Sequence, residues 1–132
     1  MEPPENADIL ETPSSISWLD EEGFICSISR KLSLQSFEES KKSMDAFIKK
    51  YGNKKYCFLI DVTNAAPTNK EGRDYADKAL PEVAKAIAII SNSVFGKMLG
   101  SLFLGLTVPP YPAEFFDNEK ESRNWLRQYL DT

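Results

Sequence analysis

Apolar and polar positions along this chain follow two periods, and the changes from one to the other mark its elements. Ser14 to Leu19 alternates residue by residue, with Ile16 and Trp18 on one side. Phe24-Ile25-Cys26-Ser27-Ile28 is strand-like again, and Asp20-Glu21-Glu22-Gly23 between them is a turn. The pair predicts an antiparallel hairpin. Ser36-Phe37-Glu38-Glu39 has the Ser-x-x-Glu form of a capping box, in which hydroxyl and carboxylate satisfy the free amides of a helix start. Phe37, Met44, Phe47, Ile48 and Tyr51 then share one helical face, and Gly52-Asn53 ends the helix.

Tyr56 to Val62 is almost continuously apolar, which suits a strand covered on both faces. Thr68-Asn69-Lys70-Glu71 is a second capping box. It opens a helix with the stripe Tyr75, Ala76, Ala79 and Leu80, which Pro81 ends or kinks. Ala86 to Ile90 is another buried strand. Asn92-Ser93 caps a third helix, whose stripe is Val94, Phe95, Met98, Leu99, Leu102, Phe103 and Leu106. Pro109-Pro110-Tyr111-Pro112 forces a loop, and Glu114-Phe115-Phe116 reads as a short last strand. Asn118-Glu119-Lys120-Glu121 opens a final helix with Trp125, Leu126, Tyr129 and Leu130 inward.

Strands alternating with helices imply parallel pairing through right-handed crossovers, and the first hairpin makes the sheet mixed. The expected fold class is α/β: a mixed, mostly parallel five-stranded sheet with an N-terminal β-hairpin and four helices. Residues 1–13 are acidic and proline-bearing and are expected to form a flexible tail. Residues 14–132 are expected to form a single domain.

Composition narrows the chemistry. The 132 residues suit one domain, and 42% hydrophobic with 27% charged residues is a globular profile. A net charge of −4 argues against nucleic acid, whose phosphates require a surplus of Lys and Arg, and against anionic lipid. The chain contains no histidine, so Ser-His-Asp, Cys-His and His-based metal mechanisms are excluded. Cys26 and Cys57 sit singly in apolar runs without metal-ligand spacing and read as small buried hydrophobes. No Gly-rich phosphate loop is present. No metal, cofactor or catalytic residue is therefore assigned. The opening Met1-Glu2-Pro3-Pro4-Glu5 lacks a basic and then apolar leader pattern. The longest apolar stretch, Val94 to Val108, carries Lys97 and three glycines and is shorter than the roughly 20 residues of a membrane span. A cytoplasmic protein without a transmembrane segment is expected.

Several motifs together carry a family likeness. They are Trp18 with Gly23-Phe24-Ile25, then Leu59-Ile60-Asp61-Val62-Thr63-Asn64, Arg73-Asp74-Tyr75, and Phe115-Phe116 followed by Trp125-Leu126. In these the chain resembles the SpoIIAA-like (STAS/SEC14-like) small bacterial domains, related in fold to anti-sigma-factor antagonists. The resemblance covers nearly everything after residue 13 and implies a SpoIIAA-like βα superhelix. Many members are uncharacterised, so it implies fold more than function. In the antagonists a serine just after the central strand is phosphorylated to break partner binding. Thr68 is the hydroxyl residue at the comparable place, in Ala66-Pro67-Thr68-Asn69 rather than an Asp-Ser-Ser-Gly-like helix start.

The candidate sites follow from these placements. Asp61, Thr63 and Asn64 lie at the C-terminal end of a parallel strand, the usual binding edge of an open α/β sheet. Asp61 can equally close its own loop by accepting backbone N–H groups. Lys70 and Arg73 could neutralise it or meet an anionic ligand. Thr68 is explained by capping, although a phosphate there would be favoured by the helix dipole. Phe95, Met98, Leu99, Leu102 and Phe103 form an apolar side widened by Leu104 and Leu106, and Gly96 and Gly100 permit close backbone approach. That helix suits a core, a self-association surface or an apolar ligand, with Tyr111 on the rim of a groove. The leading expectation is a non-enzymatic regulatory or protein-interaction module, a homodimer, docking through the Asp61–Arg73 edge and the apolar helix. The alternative is a small apolar-ligand or lipid-binding domain with a pocket near helix 93–106. An enzyme using Asp61, Tyr75 or Lys70 ranks third.

Overall fold

The apolar runs assemble into one six-stranded sheet with strand order β1-β2-β3-β4-β5-β6. The computed structural model describes residues 1–30, 37–64, 70–91 and 110–130. Along the chain lie β1 (Leu10–Glu11), β2 (Ser15–Leu19), β3 (Phe24–Ser29), α1 (Phe37–Tyr51), β4 (Tyr56–Asp61) and α2 (Lys70–Val83). They are followed by β5 (Ala84–Ile90), β6 (Ala113–Phe116) and α3 (Glu119–Arg127). Strands β1 to β3 pair antiparallel, and β3 to β6 run parallel. The sheet is thus mixed, as expected.

Three expectations are corrected or bounded. The sheet has six strands, not five. The added strand comes from the segment expected to be a tail, where Leu10 pairs with Ser17 and Glu11 with Ile16. Two residues carry no periodicity of their own, so only tertiary pairing defines this strand. Three helices stand among the described residues, and the helix expected over 93–106 lies outside them. Pro81, expected to end or kink the helix, does not end it, because α2 runs on to Val83. It sits in the last turn, where its missing N–H forfeits a single helical bond.

The hairpin is set by its turn. Asp20 Oδ1 accepts from the N–H groups of Glu22 at 3.0 Å and Phe24 at 2.9 Å, and the Gly23 N–H donates to the Asp20 carbonyl at 3.1 Å. Gly23 has φ +92°, a region side-chain-bearing residues rarely enter, and glycine is needed there. At the far end of the chain Asn118 caps α3: its Oδ1 accepts the Glu121 N–H at 2.9 Å.

Both faces of the sheet are covered. One face presents Trp18, Phe24, Cys26, Cys57, Leu59, Ala86 and Ala88, and α3 seals it with the fully buried Leu126. Trp125 and Tyr129 pack at its margin. The other face presents Ile25, Phe58, Ile87 and Ile89 to Phe47, Ile48 and Tyr51 of α1 and to Leu80 and Val83 of α2. Both cysteines are free and buried. Burial and then the neighbouring Asp20 carboxylate push the Cys26 thiol up to about 12, so it stays a neutral S–H that donates to Asp20 Oδ2 at 3.4 Å.

Part of the α1-facing layer is polar. Ser15, Ser17 and Ser27 are buried although the alternation of β2 marks the serines as its polar side. Ser17 Oγ donates to Ser27 Oγ at 3.1 Å across the β2–β3 pair. Ser14, just before β2, and Ser43 share a hydroxyl contact of 2.8 Å that ties the entry of β2 to α1. Hydroxyls can bury together because each both donates and accepts.

Candidate functional site

The parallel strands β3, β4, β5 and β6 all end at one edge of the sheet, and α1 and α2 begin there. At its middle β4 leaves the sheet through Asp61-Val62-Thr63-Asn64. The Val62 N–H donates to the Ile90 carbonyl at 2.9 Å, which extends the ladder one residue past the strand. Asp61 Oδ1 then accepts the Thr63 N–H at 2.9 Å and bends the chain away from the sheet. Asp61 and Thr63 are half-buried and Asn64 is exposed. The carboxylate therefore closes its own loop, as one of the two readings of Asp61 required.

The flanking helices are joined beside this exit. The Tyr75 hydroxyl of α2 donates to Asp45 Oδ1 of α1, and Lys41 Nζ donates to Asp45 Oδ2 at 2.8 Å. The Lys41 hydrogen bond and then that of Tyr75 hold the Asp45 carboxyl below its usual range. The Asp45 hydrogen bond in turn raises the Tyr75 hydroxyl. The Phe37 ring packs edge-on to Tyr75, with centroids 6.1 Å apart. Lys70 pairs one turn along its own helix with Asp74 at 2.8 Å. Arg73 lies half-buried in the same first turns of α2. The structure thus places Asp61, Thr63, Asn64 and Arg73 at this common edge.

The groove expected beside helix 93–106, with Tyr111 on its rim, lies mostly outside the described residues; of the candidate residues assigned to it only Tyr111 is described. It packs into the apolar cluster between the sheet and α2, and burial pushes its hydroxyl up to about 12, with Asp77 adding to the effect. Thr68, Phe95, Met98, Leu99, Leu102 and Phe103 lie outside the described residues. Asp45 was not legible as part of this region, because it meets Tyr75 across a sequence separation of 30 residues. The Lys41–Asp45 spacing of four was a visible signal for the helical ion pair alone. Among the described residues no group of three or more Cys, Asp or Glu could hold a metal ion, and no helix is long and apolar enough to cross a membrane.

The family can be read at this point. A model described as "Domain of unknown function (DUF7793)" matches residues 17–130, from β2 to just beyond α3. The chain belongs to this family. No curated protein matches it. Among solved structures it is similar to an uncharacterized protein of the DUF3478 family with a SpoIIAA-like fold from Shewanella loihica PV-4. That likeness has a TM-score of 0.56 and 14% identity over 96% of this chain and 98% of the other. A protein of unknown function from Arthrobacter sp. FB24 matches at 19% identity, over 96% of this chain and 98% of the other, with a TM-score of 0.31. The fold is SpoIIAA-like, as the sequence motifs implied, and Trp18, Phe24, Ile25 and Leu59 among those motifs are core residues.

Proposed function

We propose that the chain is a non-enzymatic protein-interaction module of the STAS-like type that docks its partner through the C-terminal edge of the sheet. The observation that carries this reading is the exit of β4. Asn64 stands exposed at the end of a turn held by the Asp61 carboxylate and by the Val62–Ile90 bond. Such a turn loses little conformational entropy on binding, so contacts made there are converted into affinity with small loss. The Tyr75–Asp45–Lys41 link joins α1 and α2, which cover one face of the sheet and both begin at this edge. The position supports the reading as well, since open α/β sheets bind outside the carboxyl ends of their strands. A SpoIIAA-like fold is compatible with this role but does not specify it.

The test uses the full chain as bait in an extract of its source cells. Asn64→Arg places a bulky charge at the proposed contact, and Gln128→Arg places the same charge on exposed surface at the end of α3. A protein captured in stoichiometric amount should be retained by Gln128→Arg and reduced at least about tenfold by Asn64→Arg, the loss typical of a charge buried at a contact. Equal capture by both variants, or a defined substrate turned over by the wild-type chain, overturns the proposal.

A further inference from the structure

A second surface lies at the opposite edge of the sheet, where α1 returns to the start of β4. The seven residues 49–55 contain four lysines and no acidic residue, in a chain whose net charge is −4. Lys49, Lys50, Lys54 and Lys55 are all exposed. Two of them are positioned by aromatic rings: Lys54 Nζ sits 4.9 Å from the Tyr56 centroid and Lys50 Nζ 5.8 Å from that of Tyr51. A cation held over a ring has fewer rotamers to lose when an anion arrives.

An acidic side chain already rests there. Asp8, in the segment leading into β1, meets Lys50 at 2.8 Å while remaining largely exposed itself. Beneath this pair is the Tyr51 ring, only 5% exposed, whose hydroxyl has no hydrogen-bond partner among the described residues. An orphaned buried hydroxyl costs about 1–3 kcal/mol. Burial, followed by the charge of Asp8, raises that hydroxyl, so it is a protonated donor at neutral pH.

We infer that the lysine-rich turn between α1 and β4 docks an acidic peptide segment of a partner protein, and that the chain's own Asp8 competes for the same lysines. An acidic peptide fits better than nucleic acid because the surrounding chain is net negative, and a long polyanion would extend past the patch into that repulsion. The seated group is also a carboxylate. The surface is independent of the edge at Asn64, at the other end of the strands.

The probe is a fluorescein-labelled decaglutamate peptide, titrated with the full chain at low salt and followed by anisotropy. Lys49→Ala, Lys50→Ala, Lys54→Ala and Lys55→Ala combined should weaken binding about tenfold or more, from four exposed charge contacts. Asp8→Asn should tighten it about two- to threefold by removing the competitor. Lys42→Ala, Lys78→Ala and Lys120→Ala, exposed lysines elsewhere, should change it less than about twofold. Asn64→Arg should leave it unchanged, which separates failure here from failure at the other edge. Thermal melts by circular dichroism confirm that each variant is folded. Equal weakening by the two lysine sets, no effect of Asp8→Asn, or tighter binding of a decathymidylate than of decaglutamate overturns the inference.

Discussion

Replacing Trp18 with alanine should destabilise the domain by about 3–5 kcal/mol, the range for emptying a buried aromatic site. Trp18 is 2% exposed and packs among Phe24, Cys26, Leu59 and Leu126, where β2, β3, β4 and α3 meet. Three strands and a helix fix most of its walls, so the space left by the indole cannot readily close. A domain of this kind holds only about 5–15 kcal/mol in total, so the variant sits near the limit of folding. Urea unfolding followed by far-ultraviolet circular dichroism should show a midpoint lower by about 2 M, taking a slope near 2 kcal/mol per molar. Trp18→Phe keeps most of the volume and should lose about half as much or less. A shift below about 0.5 M for Trp18→Ala would show that α3 does not seal this face.

Arg123→Met is the second large loss, and it tests a polar contact rather than an apolar one. Arg123 Nη1 donates to Asp20 Oδ2 at 2.7 Å and to Glu22 Oε1 at 3.1 Å, and its Nε donates to Glu119 Oε2 at 2.7 Å. The Asp20 side chain is 11% exposed and that of Arg123 18%. Asp20 also holds the hairpin turn and the Cys26 thiol. Methionine fills the stem but leaves the carboxylate buried without its cation, which costs about 3 kcal/mol. Arg127 offers the control. It pairs with Glu22 but is 47% exposed, so Arg127→Met should cost under about 1 kcal/mol and become invisible at high salt. Equal losses for the two variants would contradict the assignment of Arg123 as the buried member of the network.

These two residues show what the sequence could and could not disclose. Trp18 was placed on one side of β2 with Ile16, because alternation alone fixes which residues share a face. The apolar run of β4 likewise gave its span and its burial. Asn118 was recognised as a cap because the Asn-x-x-Glu spacing is a local signal. Arg123, by contrast, meets Asp20 over a separation of 103 residues, and nothing local announces such a partner. The burial of the β2 serines could not be read from alternation, which shows only which residues share a face; the partner that makes the burial of Ser17 tolerable, Ser27, lies on another strand. Strand β1 was missed for the same reason.

The candidate site was legible in its location and less so in its chemistry. Asp61, Thr63 and Asn64 were placed at the carboxyl end of β4 by chain order. That the Asp61 carboxylate is engaged with the Thr63 N–H depends on a bend that residue types alone do not specify. Tyr75 was read as part of an inward stripe, and its ring does pack against Phe37 while its hydroxyl reaches Asp45. Lys49-Lys50 and Lys54-Lys55 were visible as pairs, but the net negative charge of the chain masked their clustering. Topology brings them to one edge with Asp8.

The central claim is that a protein partner contacts the exit of β4. Photo-crosslinking tests it most directly. A benzophenone amino acid introduced at Asn64 of the full chain, irradiated in the source cells, should give a discrete crosslinked species containing one other polypeptide or a second copy of the chain. The same group at Gln128 should not give that species. Absence of any adduct at position 64, or the same adduct from both positions, would contradict the account.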